Sequence, residues 1–322
     1  MKQNLWYDYF LKTLDEQFPK KSQLIAALMD LLLLEREAIY RRLRKKVLFT
    51  VYEVATITRA WNISLDKIIN TSEGNADFRL KILMSVNPTE RDVRMMQEFV
   101  DSLKFLKDDP NAEYIEACNI LPMVLLSNFP QLIKFYTFAW MYRYGGEHAP
   151  HSFTQTVPSE IMMEWEHAHY ENLVNIPNIH FIFDAQIIYY LINEINYYAS
   201  IYMITPEEIG VIKQEIRAFL DYMEKILKQG HFPETNNRAN LYISQTNIDT
   251  GYACYCSEKI KASKIRTFIM NVIVTQDDRL FDDQRNWLHL KKRAAIQISG
   301  ADEKRRIDFF RQQRQLVDSL PG

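Results

Sequence analysis

Residues 24–46, LIAALMDLLLLEREAIYRRLRKK, decide the fold expected for the first part of the chain. Apolar residues recur through this stretch at helical spacing, on either side of a tight turn, at Leu28, Leu31, Leu34, Ile39 and Leu43. The pattern predicts two helices, of which the second, residues 36–46, exposes a basic face. Between Glu35 and Lys46 there are six basic and two acidic residues. A short cationic helix held across another helix can enter the major groove of DNA, although a solvated helix face has the same composition.

Further helices are predicted on both sides of this pair. Residues 5–18 form an amphipathic pattern, and Ser22 is expected to cap the helix that follows. Thr50 and Glu53 have the spacing of a capping box, in which each side chain accepts a hydrogen bond from the other residue's backbone. Ser64 is placed to cap a last short helix. The expected structure is a compact five-helix domain.

This order of elements resembles the Cro/lambda-repressor-like (XRE-type) helix-turn-helix domains of bacterial transcription regulators. The resemblance rests on residues 23–34 as first helix and turn, on residues 35–46 as recognition helix, and on residues 49–69 as the closing pair. It implies binding to double-stranded DNA. The positions that match base-reading residues are Arg36, Glu37, Tyr40 and Arg41. By the same resemblance, the positions that match backbone- and phosphate-contacting residues are Ser22, Gln23, Arg44, Lys45 and Lys46.

The sequence departs from the family pattern at the turn and at both ends of the recognition helix. Leu33 replaces the usual turn Gly, Glu35 replaces the usual Ser or Thr cap, and a Lys replaces the usual Gly after the helix. A left-handed Leu is costly, so the turn is expected to be reshaped. Glu35 and Glu37 place negative charge where phosphates would approach. A second hypothesis is therefore a protein–protein interaction module that keeps the helix-turn-helix fold without binding DNA.

The remainder of the chain is predicted to be a separate domain. A cluster of Asn, Thr, Ser, Gly and Asp near residues 70–78 indicates a linker between domain 1–72 and domain 78–322. The first domain has a net charge of +4 and the rest −6. Residues 78–230 have a helical pattern, and the β-branched runs after residue 240 predict a small, mostly antiparallel sheet with helices near the C-terminus. The fold class is therefore mainly α, or α+β overall.

The C-terminal half resembles the companion domain that follows such helix-turn-helix units in some bacterial regulators. The segments that carry this resemblance are LPMVLLSNFPQLIKFYTFAWMY, TPEEI and ISGADEKRRIDFFRQQR. It implies a role in homodimerisation, or in sensing an unknown small-molecule or protein effector. The Tyr-rich helix predicted over residues 184–203 is a candidate for a ligand pocket, a dimer interface or plain core.

Other reactive side chains are better explained without a metal or cofactor. A His and carboxylate group could hold Zn²⁺, but ordinary hydrogen-bonding roles are favoured: Glu147, His148, His151, Glu166, His167 and His169. Cys254 and Cys256 share one face of a predicted strand and are expected to pack there. A second basic stretch, residues 291–314, is expected to be a solvated face, or to pair with acidic residues or nucleic acid. No enzyme signature is present, and an enzyme built around the Tyr-rich helix or the His group is the weakest hypothesis.

Composition limits the class of protein and its compartment. With 39 Lys and Arg against 41 Asp and Glu, the chain is not basic throughout, as a histone-like protein would be. Three cysteines are too few for a disulfide framework and suggest a reducing compartment. The start of the chain does not resemble a signal peptide, and the most apolar stretch is interrupted. The expectation is a cytoplasmic bacterial regulator, homodimeric and without membrane association.

Overall fold

The computed structural model describes residues 5–61, 63, 65, 68, 79–81, 89–300 and 302–321. The chain divides into two units, Met1–Asp77 and Phe78–Gly322. It is α+β overall, with helices in both units and one sheet in the second. No helix in the described part of the chain combines the length and the apolar composition that a membrane crossing requires.

Four helices form the described part of the N-terminal unit: α1 (Leu5–Glu16), α2 (Lys21–Leu32), α3 (Arg36–Leu43) and α4 (Val51–Ala60). Each helix turns one face inward, and the core they share includes Tyr7, Phe10, Leu24, Leu28, Ile39 and Ile57. The capping box at the start of α4 is confirmed, because Thr50 and Glu53 exchange both expected hydrogen bonds. The predicted last helix, with its Ser64 cap, lies outside the described residues apart from Leu65 and Ile68.

Two predicted helix boundaries in this unit are wrong. Ser22 does not cap α2, because the carbonyl of Lys20 already accepts the first helical hydrogen bonds and Ser22 falls in the first turn. Helix α3 ends at Leu43 instead of continuing to Lys46. It ends there because Lys45 adopts φ 60°, a left-handed conformation that cannot continue a right-handed helix.

The turn between α2 and α3 keeps a left-handed residue although no glycine is present. Leu33 has φ 53° and ψ 43°, and its side chain is 90% exposed. The backbone N–H groups of Leu33 and Leu34 both donate to the carbonyl of Met29, which closes the end of α2. The expected reshaping therefore does not occur, and Leu33 bears the steric cost of the conformation.

Replacing Leu33 by Gly should stabilise the N-terminal unit. A left-handed Leu costs about 1–2 kcal/mol, which exceeds the entropic penalty of Gly, so a net gain of about 0.5–1 kcal/mol is expected. The shift in urea midpoint measures it. The control is Leu33→Ala, which also removes the exposed side chain but keeps the Cβ clash. Equal stabilisation by Ala and Gly would show that the backbone conformation is not the cause.

Eight strands form one sheet in the described part of the second unit, in the order β1-β7-β6-β5-β2-β3-β4-β8. They are β1 (Arg79–Lys81), β2 (Glu113–Cys118), β3 (Asn178–Asp184), β4 (Arg238–Ser244), β5 (Tyr252–Cys256), β6 (Lys261–Thr267), β7 (Asn271–Thr275) and β8 (Ile296–Gln297). β3 is parallel to both of its neighbours, β2 and β4, whereas every other pair is antiparallel.

Most strand pairs are antiparallel, but the sheet is mixed and larger than the small sheet predicted after residue 240, because β1, β2 and β3 precede that residue. β2 and β3 lie within the stretch that was predicted to be helical throughout. Parallel strands in the middle of a sheet are buried on both faces and lose the alternation that identifies a strand. A short buried run of this kind has no periodicity that separates strand from helix.

Helices cover the sheet unequally. They are α5 (Glu90–Lys104), α6 (Pro130–Tyr144), α7 (Glu160–Leu173), α8 (Ile187–Ser200), α9 (Pro206–Gln229), α10 (Asp278–Ala294) and α11 (Glu303–Asp318). Alternate residues of β2 point to opposite faces, so Tyr114 and Cys118 join the large core beneath α5–α9 and α11. Ile115 and Ala117 instead meet Phe281 of α10 on the other face.

Candidate nucleic-acid interface

Helix α3 is held in the N-terminal unit by one face and presents the other to solvent. Ile39 is fully buried beneath it. The exposed residues of α3 and of the segment that follows it include four predicted base- or phosphate-contacting cations: Arg36, Arg41, Arg44 and Lys46. Glu37 is also exposed, as is Glu35, which precedes the helix and makes no side-chain capping bond. The surface is therefore cationic with two acidic positions at its N-terminal end.

Tyr40 orders two of these arginines. Its ring is half-buried, and the guanidinium groups of Arg36 and Arg44 lie 5.9 Å and 5.2 Å from the ring centroid. Residues four apart share one face of a helix, so the three side chains form a ladder along α3. A guanidinium held over an aromatic ring keeps its hydrogen-bond donors available and loses less rotamer entropy when it contacts a ligand.

Arg42 has a different environment from the arginines on either side of it. Its Nε and one terminal nitrogen donate to the two carboxylate oxygens of Glu53, at 3.0 Å and 2.6 Å, and a third nitrogen donates to the carbonyl of Ala38 at 3.2 Å. Burial alone raises the pKa of Glu53, but hydrogen bonds from Arg42 and Thr50 outweigh it and lower that pKa. This ion pair joins α3 to the capping box of α4 and fixes the angle at which α3 is presented.

Arg42 was not among the predicted site residues, and only its spacing from Ile39 hinted at an inward position. The two residues are three positions apart, which places both on the same side of the helix. A charged residue at such a position needs a partner, and Glu53 is the acid that the capping box already brings inward.

The structure separates the two lysines predicted to lie near phosphates. The ammonium group of Lys45 forms an ion pair with the carboxylate of Asp8 on α1, so its charge is already partly neutralised. Lys46 is exposed, and its backbone N–H donates to the carbonyl of Arg41 at 2.9 Å. Of the two lysines, Lys45 has an ion-pair partner among the described residues and Lys46 has none.

Ser22 and Gln23 are exposed in the first turn of α2. A helix N-terminus has backbone N–H groups without intrahelical partners and a partial positive charge, both of which suit an anion. Their exposure fits the predicted role in contacting the nucleic-acid backbone, although Ser22 does not cap the helix.

The other sequence candidates do not form a second site of the kind considered. His148, His151 and His167 are exposed, whereas His169 is buried, and no group of three potential metal ligands forms among the described residues. Cys254 is buried with its Sγ 3.4 Å from the hydroxyl of Ser263. Cys254 and the half-buried Cys256 pack on one face of β5 in the core that includes Phe281 of α10, as expected.

The packing of two further segments decides between the roles predicted for them. The Tyr-rich helix is α8, which begins three residues later than predicted because Asp184 still belongs to β3, and its inner face is core. In the basic stretch near the C-terminus, Arg314 pairs with Asp221 at 2.7 Å and with Glu224 at 2.5 Å, and Arg306 is buried. The solvated-face interpretation is thus wrong for these two arginines, because α11 packs them against the acidic helix α9 and the core.

Comparisons of the chain with protein-family models, with curated proteins and with solved structures find no match.

Proposed function

We propose that this chain is a DNA-binding transcriptional regulator of the Cro/lambda-repressor-like type, in which α3 reads the major groove. The observation that carries the proposal is the outward, cationic face of α3, held at a fixed angle by the buried Ile39 and the Arg42–Glu53 pair. The proposal includes a five-helix N-terminal domain, closed by residues 65–69, acting in the cytoplasm.

The side chains on α3 and beside it fall into two groups, those expected to contact base edges and those expected to contact phosphates. Arg36 begins the helix, and Tyr40 and Arg41 follow in its second turn. The N-terminal part of a recognition helix contacts base edges in the groove, and Arg is suited to bidentate contact with guanine. Glu37 accepts hydrogen bonds and therefore suits the amino group of cytosine. Arg44 and Lys46, together with the start of α2, supply the phosphate contacts that fix the position of the helix.

The larger unit completes the proposed regulator. A single recognition helix covers only one half-site, and regulators of this kind bind as symmetric dimers to two half-sites one helical turn apart. We therefore propose a homodimer in which residues 78–322 supply oligomerisation or effector sensing. Light scattering of the purified chain at several concentrations tests the dimer.

Binding to duplex DNA should depend steeply on salt and on the exposed arginines. Arg41→Ala and Arg44→Ala should each weaken binding by about 1–3 kcal/mol, because each removes a contact to a base edge or a phosphate. Fluorescence polarisation with a duplex selected from a random library measures the affinity at several salt concentrations. Lys12→Ala on α1 is the charge-matched control, since that lysine pairs with Glu16 in solvent.

Lys12→Ala should retain the affinity of the unmodified chain. The regulator proposal is wrong if selection enriches no duplex. It is also wrong if the affinity for duplex DNA changes neither with salt concentration nor with either arginine substitution.

An interaction module without DNA binding is the second candidate. One feature favours it: Leu33, Val51 and Tyr52 are 90%, 88% and 80% exposed, which is unusual for large apolar side chains. Large apolar side chains in solvent suit a protein partner better than a polyanion, and so do the exposed acids Glu35 and Glu37. The same DNA titration separates the candidates, because this module predicts no salt-dependent binding to any duplex.

A further inference from the structure

The second unit contains a pocket between one face of the sheet and the helices α5 and α7. It has about 760 Å³ of empty space, a figure that includes the open mouth. Most of its wall is apolar, with aromatic, aliphatic and thioether side chains that include Phe99, Ile120, Met162, Trp165, Met270 and Val272. None of its lining residues comes from the Tyr-rich helix α8.

Charged groups stand on the sheet side of this pocket. The ammonium of Lys264 on β6 is buried, 4.6 Å from the centroid of the Phe99 ring and 3.4 Å from the hydroxyl of Tyr114. That hydroxyl donates to the carboxylate of Glu116 at 2.7 Å. Nearer the end of β6, Arg266 donates to the side-chain oxygen of Asn119. Two cations and one hydrogen-bonded carboxylate therefore face the pocket from β2 and β6.

Helix α7 contributes two buried polar side chains to the opposite wall. Glu166 and His169 are 4% and 6% exposed, and their closest polar atoms are 3.6 Å apart, too far for a hydrogen bond. Among the described residues, no hydrogen-bond partner is found for either ring nitrogen of His169 or for the Oε2 atom of Glu166. Leaving a buried polar atom without a partner costs about 1–3 kcal/mol, so these atoms are suited to a ligand that supplies partners.

The described lining residues of the pocket carry more formal positive than negative charge at neutral pH. Burial raises the pKa of Glu166 to about 8, so its carboxyl group is mostly protonated and uncharged. Burial also lowers the pKa of His169 well below its ordinary value, so the ring is neutral. Among the described lining residues, the formal charges that remain are those of Lys264 and Arg266 against Glu116, a balance that favours an anionic guest.

The pocket lies over the antiparallel part of the sheet, beside the carboxyl end of β2. Its sheet-side wall comes from β2, β5, β6 and β7, whose pairings with one another are all antiparallel.

We propose that this pocket binds a small amphiphilic monocarboxylate. Its carboxylate lies toward Lys264 and accepts a hydrogen bond from a ring N–H of His169, while its apolar body lies along Phe99, Trp165 and the methionines. An apolar wall with a few convergent polar groups suits a molecule of this class, because the wall supplies affinity and the charges fix orientation. The proposal does not rest on DNA binding.

Isothermal titration of the full chain with 3-phenylpropanoate, hexanoate and 3-phenylpropanamide tests it without DNA present. The acids should bind, and 3-phenylpropanoate should bind at least about tenfold more tightly than its neutral amide, since only the acid is attracted to Lys264. Lys264→Met should weaken acid binding at least about tenfold. Lys261→Met is the matched control, because Lys261 lies on the same strand but is exposed outside the pocket, and it should change nothing.

A second variant tests the proposal independently, in case Lys264→Met does not fold. His169→Leu replaces a buried ring that lacks hydrogen bonds by an apolar side chain, so the protein should keep its thermal stability and still lose acid affinity. Three results overturn the proposal: both acids binding more weakly than about 1 mM, equal binding of acid and amide, or unchanged acid binding in His169→Leu.

Discussion

Glu166→Gln should make the second unit increasingly more stable than the unmodified protein as the pH rises. The ordinary pKa of 4.5 applies to Glu166 in the unfolded chain, whereas burial raises the folded value to about 8. Between these two values the unfolded chain releases its proton and the folded chain does not. The stability contributed by protonated Glu166 is therefore complete below pH 4.5 and is lost as the pH rises through 8.

The predicted difference is large. A shift of this size corresponds to about 5 kcal/mol, which the unmodified protein loses between the two pKa values and the Gln variant does not. Other titrating groups in the pocket also make the free energy of unfolding depend on pH. His169, with its lowered pKa, destabilises the fold as the pH falls, while Lys264 and Glu116 face Glu166 with opposite charges. All three are present in both proteins, so the difference between the two isolates Glu166.

Urea unfolding from about pH 5 to about pH 9 measures the effect, with amide hydrogen exchange in residues 160–173 assigning it to α7. Glu164→Gln is the matched control, because Glu164 is on the same helix but exposed, and its difference should stay within about 0.5 kcal/mol at every pH. A constant offset for Glu166→Gln, independent of pH, would mean that the buried carboxyl group does not hold its proton at neutrality.

Arg42→Met should destabilise the N-terminal unit by about 3 kcal/mol, because removing one partner of a buried ion pair leaves the other charge without compensation. The side chains of Arg42 and Glu53 are only 14% and 11% exposed, so water cannot replace the lost contact well. Hydrogen exchange in residues 21–60 measures the loss and assigns it to this unit. The neighbouring exposed residue gives the matched control: Arg41→Met should change stability by less than about 0.5 kcal/mol.

A double-mutant cycle confirms the cause. Arg42→Met combined with Glu53→Gln leaves no buried charge and keeps an oxygen that can accept the N–H of Thr50, so the double variant should recover about 1–2 kcal/mol relative to additivity. Strict additivity would contradict a direct pair. The two arginines should also separate in the DNA titration, where Arg41→Met lowers affinity at unchanged stability. Arg42→Met should act mainly through stability.

Local patterns predicted part of this molecule well. The capping box at Thr50 and the inward position of Ile39 follow from spacing along one helix, and both are present. The exposure of Arg36, Arg41 and Arg44 was likewise predictable from helical periodicity. The role of Arg42 was not predictable, because its partner Glu53 is on another helix and its charge is the same as that of the arginine beside it.

The sequence alone determined the helices of the N-terminal unit and the basic face of α3, because hydrogen bonds within a helix and its 3.6-residue period depend on neighbours a few positions away. Only the tertiary structure decided the parallel pairing of β2, β3 and β4, which joins segments more than 50 residues apart. It also decided the pocket chemistry. Glu166, His169 and Lys264 are ordinary charged or titratable residues in the sequence, and they become a neutral acid, a neutral ring and a buried cation only when β6 and α7 enclose them.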